Sequence, residues 1–193
     1  DEAALNRDQD YLREIESGAI ANISENRMVG HYWLRSSQLA PEGIGDEIES
    51  AITSVKRLSR EVLNSGKYTT VLLVGIGGSA LGPQLIYSSL GMHSTLQFAF
   101  IDNTDPQGME ETLSGLDLGS TLVLVVSKSG GTAETMNGMR TVMDAFASNG
   151  IDFESHAVAI TCVGSKLHHL SEGWFARIPQ FEWVGGRTSV MSP

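Results

Sequence analysis

The chain has one cysteine, Cys162, few basic residues and no apolar run of membrane-spanning length. A lone cysteine closes no internal disulfide, which fits a reducing, cytoplasmic setting. No basic start leads into an apolar stretch, so the pattern of a secretory signal is missing. Lys and Arg total 13 against 23 Asp and Glu, a net charge of −10. That field repels nucleic acid and anionic membranes, so neither is expected as a partner, and any anion site must be local. None of the histidines (31, 93, 156, 168, 169) stands in a His-Glu-x-x-His helix motif, and neither metal nor cofactor is expected. The chain opens on Asp1 and stops just past a glycine-rich segment, which suggests a piece of something longer.

What is present is enough apolar content, 41% over 193 residues, for one globular unit without staples. Leu5, Leu12 and Ile15 share one helical face, and Ile48, Ile52, Val55, Leu58 and Val62 recur every three or four residues. The second of these helices is expected to stop at Asn64-Ser65-Gly66 through a left-handed residue. Strands follow at 69–74, which reads as fully buried, and at 97–101, 121–126 and 157–161, separated by helical patterns at 81–90, 109–113 and 133–149. Pro83 is expected in the first turn of its helix, where a missing N–H costs little. Met136, Met139, Met143 and Phe146 fall at helical spacing and read as core. After the fourth strand the pattern loosens through Lys166 to Glu172. Strand alternating with helix predicts right-handed crossovers and an α/β, doubly wound, mostly parallel sheet.

Two loops carry the chemistry. Gly75-Ile76-Gly77-Gly78-Ser79 and Ser127-Lys128-Ser129-Gly130-Gly131-Thr132 each leave a strand and open a helix. There, backbone N–H groups are unpaired and the helix dipole favours an anion. In the second loop Ser127, Ser129 and Thr132 supply hydroxyls, while the glycines admit a close backbone approach. That set suits a phosphate dianion. Lys128 ranks below the hydroxyls, because alternation can turn it away, and Thr132 also fits a helix cap. Glu134 occupies a dipole-favoured first-turn position. Arg187, behind two glycines, carries the fork that holds phosphates or a developing enediolate.

A rival reading rests on Gly75-x-Gly77-x-x-Ala80, a relaxed dinucleotide fingerprint, with Asp102 where a ribose-binding acid would stand. It implies a nicotinamide cofactor and leaves the second hydroxyl-rich loop without a purpose. No Gly-Lys-Ser/Thr ends either loop, so this is not a P-loop. Leu81 also stands where a nucleophile elbow requires glycine.

Taken together, the segments Gly75 to Pro83, Ser127 to Thr135 and Val184-Gly185-Gly186-Arg187-Thr188-Ser189 resemble the glucose-6-phosphate isomerase family, in order and in spacing. From about Thr69 onward the chain is similar to the first of that family's two sugar-isomerase (SIS) domains. The resemblance implies a five-stranded parallel sheet, with residues 1–66 as a helical N-terminal segment packed on it. Residues 67–193 would form the first SIS domain, and the second would lie outside this chain. It implies aldose-ketose isomerisation of glucose 6-phosphate and fructose 6-phosphate through a cis-enediol, a step of glycolysis and gluconeogenesis, in a homodimer. Ser127, Ser129 and Thr132 would hold the phosphate with Lys128, and Gly78 and Ser79 would line the sugar. Arg187 would stabilise the enediolate, with Glu134 an acid near it. Two departures are Thr188, where many members carry an aromatic residue, and Gly130-Gly131, where some are bulkier. The family's glutamate base, ring-opening histidine and a further lysine lie beyond the arginine segment, so this chain alone is expected to turn over little or nothing. A non-catalytic SIS module that senses a sugar phosphate remains an alternative.

Overall fold

The computed structural model describes residues 2–193. Helix α1 (Glu2–Glu16) is followed by a two-stranded antiparallel hairpin of β1 (Ile20–Asn22) and β2 (Arg27–Met28), short 3-10 turns, and helix α2 (Ile44–Ser65). The side chain of Leu5 lies outside the described residues, and Leu12 on the same helix is exposed, with Ile15 half-buried. On α2, Ile48 and Val62 are buried and Leu58 packs in the cluster around Val62, whereas Ile52 and Val55 stay partly exposed. Gly66 ends α2 in the left-handed conformation that its sequence announced. The hairpin is a departure from a wholly helical N-terminal segment. Its turn is tight because Asn26 adopts φ +48° and the Asn22 side chain accepts from the Glu25 amide.

The remainder alternates strand and helix: β3 (Thr70–Val74), α3 (Gly78–Leu90), β4 (Gln97–Ile101), α4 (Pro106–Ser114), β5 (Thr121–Val126), α5 (Ala133–Ser148), β6 (Ala157–Thr161), α6 (Lys166–Leu170) and β7 (Ala176–Pro179). All five strands of this sheet run parallel, in the order β4-β3-β5-β6-β7. The α/β, doubly wound expectation is borne out. One face of the sheet packs Leu72, Val74, Val123, Val125 and Ala159 against Met109 of α4 and Met136, Met139, Val142 and Phe146 of α5. The other face sets Leu122, Val158 and Ile178 against Val62 of α2 and Tyr68. Burying a side chain of this size contributes about 1.5–3 kcal/mol, which is why the central strands β3, β5 and β6 contain no charge.

Three local expectations need correction. Helix α3 begins at Gly78, inside the first loop, so Pro83 sits well within the helix rather than in its first turn. It removes the bond that would have reached the Ser79 carbonyl. The stretch from Lys166 to Glu172 does not loosen: it opens with α6, and the fifth strand, β7, follows. A run as short as Ala-Arg-Ile-Pro has too little periodicity to announce itself, and its strand character comes from pairing with β6. Thr132 stands at the N-cap of α5, yet its hydroxyl makes no cap bond.

Candidate functional site

Strand β3 hands the chain to β4 on one side, and β5 then takes the place on its other side. The order of strands therefore reverses between β3 and β5. Loops leaving a switch point diverge and open a crevice outside the carboxyl ends of the strands. The two chemistry-bearing loops are the ones that leave β3 and β5, and a cavity of about 660 Å³ lies there. Ser79, Ser127, Lys128, Ser129 and Thr132 all line it.

The second loop is held rigidly from below. Thr161 on β6 donates its hydroxyl proton to the Ser127 carbonyl at 2.6 Å, and the Cys162 amide donates to the Lys128 carbonyl at 3.2 Å. Because the Thr161 proton is committed there, Ser165 is the donor in their 2.7 Å hydroxyl pair. Gly130 has φ +64°, and a Cβ on it would fall 2.8 Å from the Ser165 hydroxyl, so only glycine lets the loop lie on α6. Above this floor, Ser127 Oγ donates to Thr132 Oγ1 at 3.3 Å and Ser129 Oγ accepts from the Gly131 amide. Both contacts are long, which leaves the hydroxyls able to turn to an incoming oxyanion.

Lys128 serves the wall. Its ammonium donates to the carbonyls of Glu182 (2.6 Å) and Val184 (3.0 Å), tying the second loop to the glycine-arginine segment. Burial pushes its pKa down, and the Arg27 charge adds to that. Cys162 borders the same cavity, and burial raises its thiol pKa despite the opposing pull of Lys128.

Three of the sequence-predicted residues do not line the cavity: Gly78, Glu134 and Arg187. Gly78 is packed against the arginine segment instead, where a Cβ would come within 2.9 Å of Gly186 Cα and closer still to its carbonyl. Ser189 Oγ donates to the Gly78 carbonyl at 3.3 Å. Arg187 is thus anchored beside the first loop, but its side chain is exposed. Glu134 is exposed on the first turn of α5. Neither makes an ion pair among the described residues.

Sequence reasoning missed Arg27 and Glu25, which reach the cavity from the hairpin. Arg27 is far upstream of either loop and in no motif, so no local signal could have found it. It also missed Thr135, which lines the cavity and is 2% exposed with an unpartnered hydroxyl. The acid of the dinucleotide reading, Asp102, is already occupied: its carboxylate accepts from Gln84 Nε2 at 2.8 Å and from Asn103 Nδ2 at 3.1 Å. Among the described residues no cluster of His, Cys, Asp and Glu could hold a metal ion, and no helix is long and apolar enough to cross a membrane.

Comparison with known proteins bears on this geometry directly. The phosphoglucose isomerase family model matches residues 3–193. Glucose-6-phosphate isomerase of Thermosynechococcus vestitus is 48% identical over 99% of this chain, and that of Geobacter sulfurreducens is 46% identical over 99%. In each case the chain spans 39% of the relative's length. A chloroplastic glucose-6-phosphate isomerase of Arabidopsis thaliana is 46% identical over 94% of the chain. Among solved structures, a glucose-6-phosphate isomerase of Chlamydia trachomatis superposes with a TM-score of 0.81 at 28% identity, covering 93% of this chain and 37% of that one. A tagatose-6-phosphate ketose/aldose isomerase of Escherichia coli, at 17% identity and a TM-score of 0.54 over 82% of this chain and 41% of that one, shares the fold. With the match running from residue 3 to residue 193, the chain belongs to the phosphoglucose isomerase family.

Proposed function

We propose that the full-length protein is an aldose-ketose isomerase that interconverts glucose 6-phosphate and fructose 6-phosphate, and that this chain supplies its phosphate-binding half. The observation that carries the reading is the convergence of Ser127, Ser129 and Thr132 with Ser79 in one cavity at the β3/β5 switch point. The opening turn of α5 adds unpaired N–H groups and the positive end of its dipole, so the phosphate is met by fixed dipoles that need no reorganisation. Anchoring the phosphate lets remote binding energy orient the sugar for proton transfer between C1 and C2. Lys128 and Gly78 hold the frame, Lys128 by its bonds to Glu182 and Val184, Gly78 by its close packing on Gly186. Arg187 is the cation for the cis-enediolate, reached from the segment that rests on Gly78, with Glu134 in support. Proton abstraction belongs to residues outside this chain, consistent with its 39% share of the relatives' length. A second subunit or further chain would find an apolar surface on α3, where Leu81, Leu85 and Leu90 are exposed.

The test is isomerisation of fructose 6-phosphate by the full-length protein, compared with Ser127→Ala/Thr132→Ala. Hydrogen bonds to a charged group contribute about 1.5–3 kcal/mol each, so losing two raises KM at least about a hundredfold. No turnover by the wild type, or an unaffected double variant, would refute the reading.

A further inference from the structure

The cavity contains a cation that none of the loop motifs supplies. Arg27 projects from β2 with its side chain 17% exposed, and it lines the same space as Ser127, Ser129 and Thr132. Its Nε donates to the Glu25 carboxylate and its Nη1 to the Glu182 carbonyl at 3.2 Å. The Nη2 donors have no partner among the described residues. Lys128 has its ammonium committed to the Glu182 and Val184 carbonyls, and Arg187 stands outside the cavity. Arg27 is therefore the cation with open donors there, in the fork geometry that suits phosphate.

The charge balance of the lining points the same way. Arg27 and Lys128 are offset by Glu25 and Glu182, in a chain with a net charge of −10. A dianion entering a balanced pocket leaves excess negative charge unless an acid withdraws. Glu25 is exposed, so its pair with Arg27 is of the kind that exchanges readily for water or another anion.

We propose that Arg27 binds the substrate phosphate directly, and that Glu25 is the counter-ion it exchanges for that phosphate. This rests on the reading of the cavity as a sugar-phosphate site. The test uses the full-length protein, with KM for glucose 6-phosphate and competitive inhibition by inorganic phosphate as readouts. Arg27→Gln is expected to raise both KM and the phosphate inhibition constant about tenfold or more, a loss of one charge-assisted bond. Arg27→Lys, which keeps the charge without the fork, falls between. Glu25→Gln is expected to lower the phosphate inhibition constant severalfold, because the competing carboxylate is gone. A strut that merely held the wall would move both variants in the same direction. An unchanged phosphate constant in Arg27→Gln, or an unchanged or raised one in Glu25→Gln, overturns the proposal. The Glu25 variant decides the matter even if Arg27→Gln fails to fold. A wild type that does not isomerise the sugar sinks the site reading itself, whereas an active wild type with an unaffected Arg27→Gln sinks only the role of Arg27.

Discussion

Replacing Gly78 by alanine sets two effects of opposite sign against each other. Gly78 is the first residue of α3 and has an ordinary negative φ, so local physics favours the change: alanine is better than glycine in a helix by about 1 kcal/mol. The tertiary contact opposes it. The new Cβ would stand 2.9 Å from Gly186 Cα, where carbon pairs prefer about 3.5–4.0 Å. Gly186 cannot retreat freely, because Lys128 holds the carbonyls of Glu182 and Val184, and Ser189 bonds to both Gly186 and Gly78. An inserted methyl in such a place costs about 1–3 kcal/mol, and a rigid backbone neighbour puts it in the upper part of that range. The net expectation is a loss of about 1–2 kcal/mol, read by thermal unfolding of this chain as a fall in Tm of about 2–8 °C. Gly131→Ala is the control: its Cβ would meet nothing within 4 Å, so stability should stay within about 0.5 kcal/mol. A Gly78→Ala chain as stable as the wild type, or more stable, would refute the claim that the arginine segment is locked onto the first loop.

Other measurements probe different parts of the same account. Phe146→Ala, at a fully buried site between α5 and the sheet, should cost about 3–5 kcal/mol in urea denaturation. Thr135→Val should leave stability unchanged or raise it by up to about 1 kcal/mol, since it deletes a buried hydroxyl that has no partner. Burial lowers the Lys128 pKa, so just below the ordinary lysine value of about 10.4 the unfolded chain binds more protons than the folded one. Stability must therefore gain a rising contribution with pH in that window, and Lys128→Met should lose it in a wild-type-minus-variant comparison of unfolding curves. The Cys162 thiol, raised by burial, should be alkylated at neutral pH far more slowly than in the unfolded chain, and more slowly again with fructose 6-phosphate present; mass spectrometry reads both rates.

Much of this protein is legible in the sequence because its central strands are buried on both faces. Such strands must be continuous apolar runs, and Leu72 to Val74 and Leu122 to Val126 are. The two loops are legible for a similar reason: glycine and hydroxyl residues cluster where the chain leaves a buried strand and opens a helix. Strand β7, the hairpin and the starting point of α3 were not legible. Partners set β7 and the start of α3, β6 for the one and the arginine segment for the other, whereas the hairpin turns on Asn26 and the Asn22 cap.

The sequence by itself determined the fold class, the location of the two glycine- and hydroxyl-rich loops and the hydroxyls they carry, since each depends on local periodicity or on residue type within a few positions. Only the tertiary structure decided which of those groups meet. It sends the Lys128 ammonium to the Glu182 and Val184 carbonyls, leaves Arg187 exposed beside Gly78, and brings Arg27 into the cavity from the hairpin. The physical reason is that a charged side chain is placed by whichever carbonyls and carboxylates the folded chain gathers around it, and those partners are remote in sequence.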